Sequence, residues 1–139
     1  MPADPACRFG GAAVLSGDRG TILLVEDEAF VAMEMEDMLA DMGFGPVEVC
    51  SSYEQAERAV RAQDWPIAVF DLNLRGKRST PLIREATKRG CRVVVTTGYE
   101  PESAEVEGLD IQYVTKPYAA VDLARAIDRA MGRGSESAA

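Results

Sequence analysis

Four short apolar runs, each ending abruptly in polar residues, restrict this chain to very few folds. Thr21-Ile-Leu-Leu-Val-Glu-Asp-Glu28 is an aliphatic stretch bounded by Gly20 that stops in three carboxylates. Ile67-Ala-Val-Phe70 runs into Asp71, Val93-Val-Val95 into Thr96-Thr97, and Ile111-Gln-Tyr-Val114 into Thr115-Lys116. Runs of this length and composition read as strands buried on both faces. Helical patterns separate them, and strand–helix alternation implies parallel strands with helices on both sides of the sheet. Open sheets of this kind take their ligands at the carboxyl ends of the strands. Acids, a hydroxyl and a lysine gathered there suggest a cation and a phosphate.

In chain order, residues 1–20 hold Pro2, Pro5 and several glycines without a sustained period, and read as a mobile tail. Glu28 to Met42 reads as a helix, with Val31, Met35, Met38, Leu39 and Met42 on one stripe and Gly43 as a left-handed stop. The methionines are expected to be core. Pro46-Val-Glu-Val-Cys50 is a short strand, and Ser52 with Gln55 matches a capping box for the next helix. That helix ends before Asp64-Trp-Pro66. Thr80-Pro81 predicts the N-cap and first turn of a third helix that Gly90 stops. Gly98 to Asp110 is weakly periodic and predicts at best a short helix. Ala119 to Met131 predicts a final helix with Leu123, Ala124, Ile127, Ala130 and Met131 on its inner face. One domain over residues 21–132 is expected, followed by a polar tail at 133–139.

Composition removes many functions. The formal charge of −8 argues against a nucleic-acid surface, and Arg125, Arg129 and Arg133 alternate with Asp122 and Asp128 as on a solvated helix face. No apolar run approaches the roughly 20 residues that span a membrane, and no secretory signal pattern opens the chain, so a cytoplasmic location is expected. Cys7, Cys50 and Cys91 have neither disulfide-framework nor zinc spacing, and the last two read as small core residues. The chain has no histidine. It therefore has no imidazole base, no His-ligated metal and no phosphohistidine of its own.

Each polar strand end has an ordinary explanation when taken alone. Acids beside a helix start are favoured by its dipole. A strand-end lysine is usually a solvated charge, and a threonine there often satisfies its own backbone. Together they are harder to dismiss. Glu26 and Asp27 end one buried strand and Asp71 another. Two like charges 4 Å apart repel by about 1 kcal/mol in water and about 4 at an effective dielectric of 20. A hard divalent cation, Mg²⁺ or Mn²⁺, would neutralise such a cluster. The Lys116-Pro117 bond is a candidate for the cis form.

Val25-Glu-Asp-Glu28, Phe70-Asp-Leu-Asn73, Thr97-Gly98 and Tyr113-Val-Thr-Lys-Pro117 together resemble the receiver domain of two-component response regulators. The resemblance covers about residues 20 to 132. It implies a flavodoxin-like (βα)5 fold, an α/β doubly wound parallel five-stranded sheet of order 2-1-3-4-5. It also implies roles: Asp71 as phosphoacceptor, Asp27 as a direct Mg²⁺ ligand, and Glu26 as its acidic partner. Asn73 would offer a backbone carbonyl to the metal. Thr97 and Lys116 would contact the phosphoryl group, with Thr97 and Tyr113 as the switch pair. Glu26 stands where aspartate is more common. The span from Asp71 to Lys116 is short. With Asn73-Leu-Arg-Gly76 and Thr96-Thr-Gly-Tyr99 it resembles the subfamily whose fourth strand ends Phe-Ala-Thr-Gly, with a short or absent fourth helix.

The function implied is a stand-alone receiver. It would accept a phosphoryl group on Asp71 from a histidine kinase, of the HWE type on the subfamily resemblance, or from a histidine phosphotransfer protein. It would signal through an unknown downstream protein or drain phosphate from the kinase, and would be no enzyme beyond its own phosphorylation and dephosphorylation. One alternative is a Mg²⁺-dependent aspartyl-phosphate phosphatase of the haloacid dehalogenase type, for which Asn73 stands where a proton-transferring acid is needed. Another is an unphosphorylated interaction module on the same fold.

Overall fold

Burial follows the apolar runs closely. Ile22–Val25 (β1) and Ile67–Asp71 (β3) are buried at every residue, and Arg92–Thr97 (β6) at all but its first. Val47–Cys50 (β2) and Ile111–Thr115 (β7) are only partly covered, because they form the two edges. This computed structural model describes residues 19–98 and 109–132. The expectations for residues 1–18 (Cys7 included), for Tyr99 and the short or absent helix across 99–108, and for Arg133 and the tail lie outside the described residues.

The five strands are parallel in the order β2-β1-β3-β6-β7, as expected. The order reverses between β1 and β3, so their carboxyl ends flank the crevice where such sheets bind ligands. Four helices are described: Ala29–Asp41 (α1), Tyr53–Ala62 (α2), Thr80–Lys88 (α3) and Ala120–Ala130 (α4). Ala56 and Val60 of α2 join Leu82, Ile83 and Ala86 of α3 on one face of the sheet, against Leu23, Val25, Phe70 and Val95. Met35 and Leu39 of α1 join Leu123, Ala126 and Ile127 of α4 on the other, against Leu24, Val69 and Val94. Each fully buried aliphatic side chain contributes roughly 1.5–3 kcal/mol against conformational entropy.

Local signals mostly act as expected. Ser52 caps α2 by accepting from the Gln55 N–H at 3.1 Å, although the Gln55 side chain returns to Ser51 rather than to Ser52. Gly43 adopts φ +101°, and a Cβ there would meet the Arg19 side chain at 3.2 Å. The N-cap of α3 departs from expectation: it is Ser79, with Thr80 and Pro81 inside the first turn. On α4 the buried face is Leu123, Ala126 and Ile127, with Ala124 only half-buried, because the tight helix–sheet contact follows the three- and four-residue spacing from Leu123. Cys50 and Cys91 are buried, and burial pushes their thiols up to about 11 and about 12.

A two-stranded antiparallel ribbon, Asn73–Leu74 (β4) and Lys77–Arg78 (β5), follows β3 and was not anticipated. Its two-residue turn has φ +52° at Arg75 and +84° at Gly76, the signature of a type I′ hairpin.

Candidate functional site

Glu26 and Asp27 follow the last residue of β1, and Asp71 ends the neighbouring β3. One carboxylate oxygen from each lies within 4.8 Å of the others. Lys116, one residue past β7, reaches across the sheet end. Its Nζ stands 3.2 Å from Asp71 Oδ2 and 3.7 Å from Glu26 Oε1. Its main-chain N–H donates to the Thr97 carbonyl at 2.7 Å, tying the lysine loop to the end of β6. The Lys116–Pro117 peptide is cis.

Glu26 is the least comfortable group in the cluster. Its side chain is 1% exposed. Oε2 accepts from the Glu28 N–H at 3.1 Å, while Oε1 has no hydrogen-bond partner among the described residues. Burial, reinforced by repulsion from Asp71, raises its pKa from 4.5 to about 7. Burial alone would lower the Lys116 pKa, but attraction to Asp71 and Glu26 outweighs it and the ammonium is stabilised. A buried oxygen without a hydrogen bond, in a cluster whose possible metal ligands are all carboxylate oxygens, fits a hard divalent cation even with the Lys116 ammonium 3.7 Å away.

The Asp71 carboxylate is held from two sides. Oδ1 accepts from the Asn73 N–H at 3.1 Å and Oδ2 faces Lys116. Its main-chain carbonyl accepts from Ser79 Oγ at 2.7 Å, and Ser79 is fully buried. Ser79 therefore supports the phosphoacceptor candidate from below instead of capping α3 with its side chain. No sequence signal distinguished it from the Thr80-Pro81 helix start. The Asn73 side chain turns into the hairpin, where its Oδ1 accepts from the Gly76 N–H at 2.8 Å. Thr97 is buried at the end of β6 and half-buried Tyr113 lies on β7. The register pairs Val95 with Tyr113 and Thr97 with Thr115. Thr97 and Tyr113 thus lie on the same sheet face, offset by two residues.

Arg75 contributes a second cation, at Asp27. Its Nη2 donates to the Asp27 carbonyl at 3.2 Å, and its Nε lies 3.7 Å from Asp27 Oδ2. Its only sequence trace is the Arg75-Gly76 dipeptide, too short to carry a period.

The family model for the response regulator receiver domain matches residues 22–128, nearly all of the described fold. The chain belongs to that family. Receivers of two-component response regulators accept phosphoryl groups on an aspartate, and the acidic cluster of this one suits the Mg²⁺ that receivers bind. The receiver is 34% identical over 125 residues to the phosphate regulon transcriptional regulatory protein PhoB of Klebsiella pneumoniae, covering 84% of this chain and 54% of that protein. It thus spans about half the length of that curated relative. A response regulator receiver protein from Sinorhizobium medicae superposes with a TM-score of 0.73 at 25% identity, over 81% of this chain and 94% of that one. The receiver domain of the Pseudomonas aeruginosa sensor histidine kinase PA1611, solved with magnesium coordinated in its active-site cleft, gives 0.67 at 26% identity, over 81% and 97%. No described helix of the receiver is long and apolar enough to cross a membrane.

Proposed function

We propose that Asp71 is the phosphoacceptor of a phosphorelay receiver covering residues 21–132, with Glu26, Asp27, Asp71 and the Asn73 carbonyl as its Mg²⁺ (or Mn²⁺) site. The observation that carries this reading is the position of Asp71. It is at once 3.2 Å from Lys116 Nζ and within 4.8 Å of two further carboxylates, one with an orphaned oxygen. A cation on one side and an acid pair on the other suit a carboxylate that must accept a dianionic group.

In the proposed reaction an Asp71 oxygen attacks the phosphorus of a kinase phosphohistidine. The O–P bond forms as the N–P bond breaks, and the imidazole leaves with its electron pair. Bound Mg²⁺ supplies charge neutralisation for the acids and the incoming phosphoryl oxygens. Lys116 is already seated to pair with the transferred group, which adds roughly −1.5 to −2 charge at neutral pH. The Thr97 hydroxyl turns to the new acceptor, and Tyr113 on the same sheet face follows, biasing the surface a partner reads. The partners proposed are a histidine kinase, of the HWE type on the subfamily resemblance, or a phosphotransfer protein upstream, and a binding protein or a kinase drained of phosphate downstream. Val95-Thr96-Thr97-Gly98 in place of Phe-Ala-Thr-Gly supports the subfamily reading at its last two positions.

Incubation with Mg²⁺ and acetyl phosphate, followed by peptide mapping of the added mass, tests this directly. The expected product carries one phosphoryl group on the peptide containing Asp71, and Asp71→Asn abolishes uptake while leaving the circular dichroism spectrum unchanged. Undiminished uptake by that variant would overturn the assignment. Steady turnover of a phosphomonoester would favour the phosphatase alternative, against which Asn73 offers only an amide already engaged by Gly76.

A further inference from the structure

Arg75 occupies a position that suits its side chain's contacts better than its backbone. Both turn residues of a type I′ hairpin need positive φ, and Asn, Asp or Gly are favoured there. Arg75 sits at φ +52°, a left-handed conformation disfavoured for a residue with a long side chain. The turn cannot easily relax. Asn73 is tied to Asp71 Oδ1 on one side and to the Gly76 N–H on the other, and Leu74 is anchored in the core at 3% exposure. Strain of this kind collects at functional sites.

What the strained residue touches is Asp27. The guanidinium meets both the main-chain carbonyl and the carboxylate of a residue 48 positions away. The charges around the cluster then divide into two groups. Lys116 serves Glu26 and Asp71, while Arg75 is the ion-pair partner of Asp27 among the described residues. A divalent cation entering the acidic cluster must share Asp27 with a guanidinium already beside it. As a stabilising contact the pair counts for little, since the Arg75 side chain is 76% exposed. As a charge placed at a metal ligand it matters more, and being exposed it is free to swing away.

We propose that Arg75 is a displaceable counter-ion that competes with the divalent cation for Asp27 and so sets the metal affinity of this receiver. The proposal rests on the metal reading above and adds one residue to it. When the cation binds, the guanidinium leaves the carboxylate for solvent. When the cation leaves, Arg75 returns and limits repulsion within the acid cluster. The left-handed backbone at Arg75 carries its side chain to the mouth of the site.

The test is a Mn²⁺ titration followed by the loss of the free-ion electron paramagnetic resonance signal, with Mg²⁺ calorimetry alongside. It uses the full chain and its Arg75→Gln, Arg75→Asn and Asp27→Asn variants. Asparagine suits the turn, so Arg75→Asn guards against a hairpin that fails to form. At low ionic strength both Arg75 variants should bind Mn²⁺ roughly three- to tenfold more tightly than wild type, the range expected of one partly screened charge. The gain should shrink as salt is raised, because exposed charges are screened within about 10 Å at 0.1 M. Equal or weaker binding by both variants overturns the proposal, and so does a gain indifferent to salt. If the wild type binds no Mn²⁺, the metal reading fails and this one with it. If the wild type binds, Asp27→Asn does not, and the Arg75 variants are no tighter, only the role of Arg75 is lost.

Discussion

The two ends of the sheet are built to different standards. At the amino end polar groups are matched. Arg19 donates from its main chain to the Gly43 carbonyl at 2.8 Å, lies 4.8 Å over the Phe44 ring and meets Asp128 at 2.9 Å. Arg129 donates to Gln112 at 2.9 Å, and Arg89 links Glu85 with Asp64. At the carboxyl end three acids crowd together and Arg75 takes a left-handed backbone. Glu26 Oε1 and Thr96 Oγ1, the buried side-chain atoms without a partner among the described residues, are both at this end. Among the described residues the unpartnered buried side-chain atoms and the left-handed non-glycine residue gather at the carboxyl end, and this separates the part that works from the part that holds.

Removing the largest departure should strengthen the fold. Glu26 has a folded pKa of about 7 against 4.5 ordinarily. Below pH 4.5 both folded and unfolded chains carry the proton and the site costs nothing. As pH rises from 4.5 to 7 the unfolded chain has released its proton while the folded one retains it, so stability falls. Above that window the full penalty of roughly 3 kcal/mol applies. Glu26→Gln should therefore stabilise the metal-free protein by about that amount at alkaline pH and by almost nothing in acid. Urea unfolding in EDTA at the two extremes measures it. An equal gain at both would mean that shape, not charge, is the source.

The opposite edge should respond the other way. Arg19→Ala removes a mostly buried stem over Phe44 and a pair with half-exposed Asp128, and should cost about 1–2 kcal/mol. Phosphoryl uptake from acetyl phosphate should stay within about twofold, because Arg19 lies at the other end of the sheet. A parallel loss of uptake would break the comparison.

The division between legible and hidden features follows sequence distance. Buried strands announce themselves locally, so Ile22–Val25 and Ile67–Asp71 were readable, and so were the acids and the lysine at their ends. Ser52 and Gly43 act within one helical turn and were equally plain. Ser79 was not, because its role depends on a carbonyl eight residues earlier that reaches it only after the hairpin closes. Arg75 was not either, since its partner Asp27 lies 48 residues earlier in the loop after β1, and the ribbon carrying Arg75 is four paired residues long. The orphaned oxygen of Glu26 arises from packing that no spacing encodes.

The smallest departure tests whether every irregularity at the carboxyl edge serves function. Thr96 is fully buried, pairs in register with Asp71, and has a hydroxyl without a partner among the described residues. An unsatisfied buried hydroxyl costs roughly 1–3 kcal/mol on protein scales, and valine has nearly the same shape. Thr96→Val should raise stability by about 1 kcal/mol, since part of the penalty is relieved by local relaxation. Thermal unfolding reads the gain, and the rate of phosphoryl uptake distinguishes its meaning. Greater stability with unchanged uptake makes Thr96 a tolerated imperfection beside the site. Greater stability with slowed uptake makes its hydroxyl part of the chemistry at Asp71. A loss of stability instead would place an internal water on Thr96 Oγ1, and the carboxyl edge would then hold one genuine orphan, Glu26.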